Sequence, residues 1–277
     1  MFLILDRSEA EGEPRSDSGA GKDQKKGVLE VKPTGYNVKV IVSGHVIEVY
    51  EYTDTIWRNL KSKTSKSNVV KVPSTEELDE LILDKKLNSR AKSNIRARNN
   101  IRRLILANFN NRSKFLTLTF KENVTSLEEA NKEFKKFIRK LRSNLGNFKY
   151  VAVIEFQKRG AVHYHGLLDI KYVRVSKLAE WWGNGFIKIN DIRHVDNVGA
   201  YVVKYMTKAD ADERLIGKKM YQCSKNLERP REFVGKEAEY ILERLKAEKR
   251  KVAYSNVYQS KLTGNEIRYS EYNLYRS

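Results

Sequence analysis

The residues best suited to chemistry lie in the stretch VGAYVVKYMTK at residues 198–208. Residues three or four positions apart share one face of a helix. Two tyrosines and two lysines follow this spacing, namely Tyr201, Lys204, Tyr205 and Lys208. The stretch therefore predicts a helix that presents two phenols and two ammonium groups in one direction. A phenol is a candidate nucleophile, and a nearby ammonium group can lower its pKa or stabilise charge in a transition state.

A second cluster lies upstream, in two apolar runs that flank residues 158–160. This pattern predicts a β-hairpin with a three-residue loop and a glycine in the left-handed position. That register sets Glu155 opposite His163, with His165 on the same sheet face. One carboxylate and two imidazoles leave coordination positions open for substrate, which is typical of a catalytic metal site. Phosphate chemistry at an open site favours Mg²⁺ or Mn²⁺ as the cofactor.

Together the two clusters predict phosphodiester chemistry. A divalent ion on the carboxylate and the imidazoles would polarise a phosphate and let a weakly acidic phenol attack it. The attack would leave a covalent 5′-phosphotyrosine and a free 3′-hydroxyl. Because that ester keeps the energy of the broken linkage, strand joining would need no ATP.

Three motifs, in this order, resemble the HUH endonuclease superfamily. They are the strand FLTLTF at residues 115–120, the pair His163 and His165 after an apolar run, and the helix with Tyr201 and Tyr205. Within that superfamily the chain resembles two-tyrosine rolling-circle replication initiators of bacterial plasmids and small single-stranded DNA phages, over residues 90–275. The resemblance implies origin DNA, single-stranded or in a hairpin, as substrate, and a host helicase and polymerase as partners. It favours Tyr201 for the first cut and gives the second tyrosine the regenerated origin.

The elements that position these groups follow the order strand, helix, strand, strand, helix, strand, helix from Phe115 onward. This order predicts an α+β fold with a ferredoxin-like (RRM-like) antiparallel sheet and helices on one face. The resemblance implies the same fold. Asp196 is predicted to cap the tyrosine helix. The flanking sequence predicts a hairpin over residues 36–52 and helices over 90–108 and 236–251, followed by a second hairpin over 253–274.

Four segments are expected along the chain. Residues 1–30 are charged and poor in large apolar groups, which is typical of a disordered lead. Residues 31–110 are predicted to form an N-terminal hairpin and basic, DNA-contacting helices, and residues 111–225 the nicking domain. Residues 226–277 are predicted to add a C-terminal helix and hairpin. His45, beside the first turn, is expected to be an ordinary exposed side chain.

The charge balance indicates a polyanionic partner. Lys and Arg number 54 against 35 Asp and Glu, a formal net charge of +19, which favours nucleic acid over a membrane surface. An acid-free stretch carries the predicted basic helix, in which Ile95, Ile101, Leu104 and Ile105 are expected to face a core. The candidate DNA-contacting residues there are Arg90, Lys92, Arg96, Arg98, Arg102, Arg103 and Lys114.

Location and alternatives follow from what the sequence lacks. It has no apolar run long enough to span a bilayer, and its single cysteine, Cys223, fits a reducing cytoplasm. It has no Walker-type loop, so no fused helicase is expected. A conjugative relaxase or a transposase of the same superfamily is disfavoured because the histidines precede a helix that carries two tyrosines. A non-enzymatic basic module with an RRM-like sheet leaves the carboxylate and histidines unexplained. The oligomeric state is left open.

Overall fold

The computed structural model describes residues 33–59, 75–209, 218–261 and 263–276, with the backbone alone for 75–88, 90 and 207–209. The expected lead at residues 1–30 lies outside this range. In chain order the described elements are β1 (Thr34–Ser43), β2 (Val46–Arg58), α1 (Thr75–Asn108), β3 (Lys114–Phe120), α2 (Leu127–Leu145), β4 (Tyr150–Phe156), β5 (Val162–Leu168), α3 (Val175–Trp182), β6 (Gly185–Asn190), α4 (Val198–Ala209), β7 (Tyr221–Cys223), β8 (Arg231–Val234), α5 (Lys236–Ala247), β9 (Val252–Gln259) and β10 (Glu266–Asn273).

An antiparallel sheet in the order β6-β3-β5-β4-β7, here called the central sheet, carries the candidate site. Its first four strands and the helices α2 and α3 form a β-α-β-β-α-β unit. In that unit the crossover helices separate strands that are not neighbours, so β5 lies between β3 and β4. This is the ferredoxin-like arrangement, and the predicted α+β fold class is confirmed.

One face of the central sheet packs against α2 and α3. Ser126 Oγ accepts a hydrogen bond from Glu129 N and so caps α2, as predicted. The buried residues of α2 recur at helical spacing, and Phe134 stacks on Tyr164 of β5 with ring centroids 4.5 Å apart. Trp182 of α3 packs edge-on against Phe120 of β3. These apolar contacts fix the strands, and therefore the side chains that point the other way.

The opposite face of the central sheet is partly covered by α4 and by the C-terminal part of α1. Val198, Val202 and Met206 of α4 are buried in the core. Ile101 and Ile105 of α1 are fully buried in the same cluster, as predicted. Burying this apolar stripe holds α4 in a fixed position over the sheet.

The chain ends build a second antiparallel sheet, here called the flanking sheet, in the order β8-β1-β2-β10-β9. Both predicted hairpins are present in it, and β2 pairs with β10 from Val46 opposite Asn273 to Tyr52 opposite Ile267. Helix α5 covers one face, where Leu242 packs with Val49 and its neighbours. The other face receives polar side chains of α1.

Three local predictions are wrong. His45 is buried, with 8% of its surface exposed, because its ring stacks on Tyr275 and its Nε2 lies 2.8 Å from the carbonyl oxygen of Asp196. Asn197 rather than Asp196 caps α4, since its Oδ1 accepts a hydrogen bond from the backbone of the first turn. Ile95 is 49% exposed because this part of α1 extends beyond the core.

Within the described ranges, no helix is both long and apolar enough to cross a membrane.

Candidate active site

The β4–β5 hairpin brings the carboxylate and both histidines to one face. Glu155 lies opposite His163, as predicted, and Val153 lies opposite His165. The strands close with a hydrogen bond from Gln157 N to the carbonyl oxygen of residue 161, which leaves a loop of residues 158–160. Gly160 occupies the left-handed region at φ 87°, as the turn pattern requires.

His165 is held at both ring nitrogens. Its Nε2 lies 2.5 Å from Glu155 Oε2, and its Nδ1 lies 3.2 Å from Thr117 Oγ1 on the neighbouring strand β3. The ring is buried and stacks on Phe115 with centroids 6.1 Å apart. These contacts fix the ring plane and leave it little freedom to turn.

His163 is different, because its Nε2 is buried without a hydrogen-bond partner among the described residues. Burial lowers the pKa of the imidazole, Arg159 adds to this effect, and Glu155 opposes it. A neutral ring with an unsatisfied nitrogen suits a site that receives a ligand. A cleft of about 480 Å³ opens beside it, lined by Glu155, Gln157, Lys158, Arg159 and His163.

Helix α4 lays its tyrosines over this face. Tyr205 stacks on His165 with centroids 3.8 Å apart and planes 18° from parallel. Tyr201 lies one turn earlier, 5.3 Å from Phe115 in an edge contact and 6.1 Å from Tyr205. Burial raises the pKa of the Tyr205 phenol, and its hydrogen bond with Tyr201 and the nearby Glu155 charge act in the same direction. The two phenols therefore lie in series, with Tyr205 nearer the histidines.

Lys204 is placed to act on both tyrosines. Its Nζ lies 3.6 Å from the ring centroid of Tyr201 and 5.1 Å from that of Tyr205. An ammonium group so close to a phenol stabilises the phenolate form, because opposite charges then approach each other. The side chain of Lys208 lies outside the described residues.

The candidate metal ligands meet a test of fit in two respects. Their donor chemistry is suitable, and the unsatisfied Nε2 of His163 provides a free nitrogen beside the carboxylate. In the described ranges, however, no three His, Cys, Asp or Glu side chains are arranged to hold an ion. The contact between Glu155 and His165 occupies two of the three donors. An ion bound by all three would have to replace that contact.

Residues 113–210 match a family model of replication-associated proteins of the ORF2 type. The matched segment runs from β3 to α4 and so contains every candidate catalytic and metal-ligating residue. Neither curated proteins nor solved structures give a significant match. The family match supports a role as a replication initiator.

The predicted DNA-contacting residues divide into two groups. Lys92 and Arg96 are exposed on α1, Arg98 and Lys114 are half-buried, and the side chain of Arg90 is not among those described. Arg102 and Arg103, in contrast, are mostly buried and pair with acidic residues of the flanking sheet. The pairs are Arg102 with Glu271 and Glu48, and Arg103 with Glu48 at 2.6 Å. The prediction that these two arginines contact DNA gives way to an internal role, because carboxylates already satisfy them.

Three residues of the site escaped the sequence reasoning. Thr117 bonds His165, and its place opposite that residue follows from the pairing of β3 with β5. Lys158 and Arg159 line the cleft, although the sequence suggested only a turn there. Arg159 is anchored by a hydrogen bond from its Nη2 to the carbonyl oxygen of Phe120. Knowledge of the strand order would have found all three.

Proposed function

We propose that this chain initiates rolling-circle DNA replication by nicking one strand at an origin and holding the new 5′ end on a tyrosine. The observation that carries the proposal is the stack of Tyr205 on His165, whose Nε2 contacts Glu155. A phenol, an imidazole and a carboxylate thus lie in contact on an open sheet face. The family match to replication-associated proteins covers the same residues.

In the proposed step, a tyrosine Oη attacks the phosphorus of the origin strand. The new bond joins Oη to phosphorus, and the bond from phosphorus to the 3′-oxygen breaks. The proton that the phenol loses is balanced by the one that the 3′-oxygen gains. Because the phosphotyrosine is an ester like the linkage it replaces, attack by a 3′-hydroxyl rejoins the strand without ATP.

Tyr201 is the nucleophile of the first cut in this proposal. The Lys204 ammonium group lies closest to its ring, which favours the phenolate needed for attack. The Tyr205 phenol is harder to ionise because burial raises its pKa. Its place beside His165 suits it to the second cut, which follows one round of synthesis by a host polymerase and helicase.

Glu155, His163 and His165 are the residues that would hold a divalent ion, Mg²⁺ or Mn²⁺. Such an ion supplies polarisation of the phosphate and stabilises the charge on its oxygens. Thr117 orients His165 through Nδ1. Lys158 and Arg159 place positive charge on the cleft beside the histidines, where a DNA phosphate would be attracted.

A covalent adduct tests the proposal. The protein is incubated with Mn²⁺ and a pool of single-stranded 40-nucleotide DNA of random sequence, labelled with fluorescein at the 3′ end, and the products are separated on a denaturing gel. The segment 3′ of the nick should migrate with the protein, and sequencing it would identify the origin. The adduct should disappear in the Tyr201→Phe, Tyr205→Phe double variant and in His163→Ala.

Two outcomes would overturn the proposal. One is a native-gel shift without any adduct, which would indicate a binding module. The other is an adduct of undiminished yield in the double tyrosine variant, which would place the nucleophile elsewhere. A lower yield in one single tyrosine variant identifies the residue of the first cut.

A further inference from the structure

The face that carries the histidines continues across β3 to the edge strand β6. Residues that are direct partners across antiparallel strands point to the same side of a sheet. Thr119 pairs with His163 on one side and with Phe186 on the other. Thr117 likewise pairs with both His165 and Lys188. Phe186 and Lys188 therefore share the candidate active-site face, one strand beyond β3.

Phe186 is held rigidly although its ring is 72% exposed. Ile187 and Ile189 point to the other face and pack against the core, which anchors β6. Gly185 has φ 151°, and a Cβ there would lie 2.3 Å from the carbonyl oxygen of Thr119. Only a glycine allows β6 to begin this close to β3. The ring thus projects from a fixed strand rather than from a loop.

A nucleobase is the occupant that this part of the face fits. Exposed aromatic rings on a sheet serve as stacking platforms for single-stranded nucleic acid when cationic side chains accompany them. Lys188, two residues along the same strand, is exposed and lies on the same face. The chain carries a net charge of +19, which attracts a polyanion.

We infer that Phe186 and Lys188 form a subsite for a nucleotide next to the scissile phosphate. The Phe186 ring stacks on the base, and the Lys188 ammonium group pairs with a backbone phosphate. Two strand spacings of about 4.8 Å each separate Phe186 from His163, so the subsite lies about 10 Å from the proposed cleavage point. The inference rests on the proposed function for the position of the cut, whereas the binding itself does not.

The experiment measures binding without chemistry. Fluorescence anisotropy follows fluorescein-labelled (dT)20, in EDTA, with the Tyr201→Phe, Tyr205→Phe protein as the background. Phe186→Ala should weaken binding about 5- to 100-fold, as expected for the loss of one stacked base. Phe186→Trp should bind at least as tightly as the background protein. Tyr172→Ala is the matched control, since Tyr172 is 81% exposed but lies outside the sheet face, and it should bind unchanged.

A second probe separates stacking from general affinity. An abasic 20-mer has phosphates but no bases, so Phe186→Ala should bind it as the background protein does. Lys188→Ala should weaken both probes and reduce the slope of log affinity against log salt by about one.

Three results would overturn the inference. They are unchanged (dT)20 affinity in Phe186→Ala, an equal loss for (dT)20 and the abasic probe, and a dimer-to-monomer change in sedimentation with unchanged affinity. The last would show that the ring packs against a second copy of the chain. If the unsubstituted protein forms no adduct but Phe186→Ala binds (dT)20 less tightly, the proposed function fails and the subsite stands. If an adduct forms but the (dT)20 affinity of Phe186→Ala is unchanged, the subsite fails and the proposed function stands.

Discussion

Asn197 joins the tyrosine helix to the flanking sheet. Its Oδ1 accepts a hydrogen bond from Ala200 N at 2.9 Å, which caps α4, while its Nδ2 donates to Glu271 Oε1 at 3.3 Å. Glu271 in turn pairs with Arg102 of α1. The start of the helix that carries both candidate nucleophiles is therefore tied to a sheet built from the ends of the chain, outside the segment that matches replication-associated proteins.

Asn197→Ala should loosen α4 at its first turn. It removes a cap and leaves Glu271 with one donor fewer, so we expect the free energy of unfolding to fall by about 1–3 kcal/mol. The yield of covalent adduct should fall as well, because Tyr201 lies in that first turn. Chemical denaturation and the adduct gel measure the two effects. Asn144→Ala, at an exposed end of α2, is the matched control and should change stability by less than about 0.5 kcal/mol. Equal stability of the two variants would refute a capping role.

Glu48→Gln should cost about 3–5 kcal/mol at neutral pH, because it leaves buried arginines without their countercharge. Burial acts to raise the pKa of Glu48, but the hydrogen bond and charge of Arg103, with the charge of Arg102, hold it below its usual value. A lowered folded-state pKa contributes stability that is fully present above the unfolded value of about 4.3 and is lost as the pH falls through the folded value.

Urea unfolding at a series of pH values measures this contribution. The unsubstituted protein should lose stability below about pH 4.3, the unfolded-state value, and Glu48→Gln should show a shallower loss. Glu122→Gln, at an exposed position, should follow the unsubstituted protein throughout. Parallel acid profiles for Glu48→Gln and the unsubstituted protein would contradict the ion-pair account.

The two groups of α1 arginines should separate by salt dependence. Arg96→Ala should reduce the slope of log affinity for single-stranded DNA against log salt by about 0.7, since one phosphate contact is lost, without a change in stability. Arg103→Ala should instead destabilise the fold, because it breaks a buried pair with Glu48. Anisotropy titrations at several salt concentrations, with unfolding curves for both variants, measure the two effects. An exchange of these outcomes would return Arg103 to the DNA surface.

Local patterns predicted the central sheet and its chemistry, because the information lies within short stretches. The turn at residues 158–160 fixes the register that sets Glu155 opposite His163, and helical spacing places Tyr201 and Tyr205 on one face. The flanking sheet was less accessible. Val46 and Asn273 are partners across β2 and β10, yet no short-range pattern links such distant positions.

The positions of Arg102 and Arg103 show the same limit. A cationic helix has the same sequence whether its charges meet DNA or acidic residues of a distant strand. Only the pairing that brings Glu48 and Glu271 under α1 distinguishes the two. Phe186 was overlooked for a related reason, since its face follows from pairing with Thr119 rather than from its own neighbours in sequence.

Lys204→Met should slow adduct formation more than it weakens DNA binding. Its ammonium group lies over the ring of Tyr201, where it stabilises charge that develops as the phenol attacks. Loss of such a group costs about 10²- to 10³-fold in rate. Lys177→Met is the matched control, because Lys177 lies over Trp181 in α3 and away from the site. Single-turnover rates and anisotropy titrations of both variants measure the two effects, and equal rates would assign Lys204 a packing role.

Mn²⁺ should raise the thermal stability of the protein through His163. A ligand that binds only the folded state stabilises it by about 2.7 kcal/mol at 100 times its Kd. Since His163 Nε2 has no partner among the described residues, His163→Ala removes a free donor without breaking an internal bond and should abolish the Mn²⁺ effect. His194→Ala, which removes an exposed histidine, controls for adventitious binding. If His163→Ala responds to Mn²⁺ as strongly as the unsubstituted protein, the ion binds elsewhere, and the buried nitrogen must instead await a hydrogen-bond donor from the DNA.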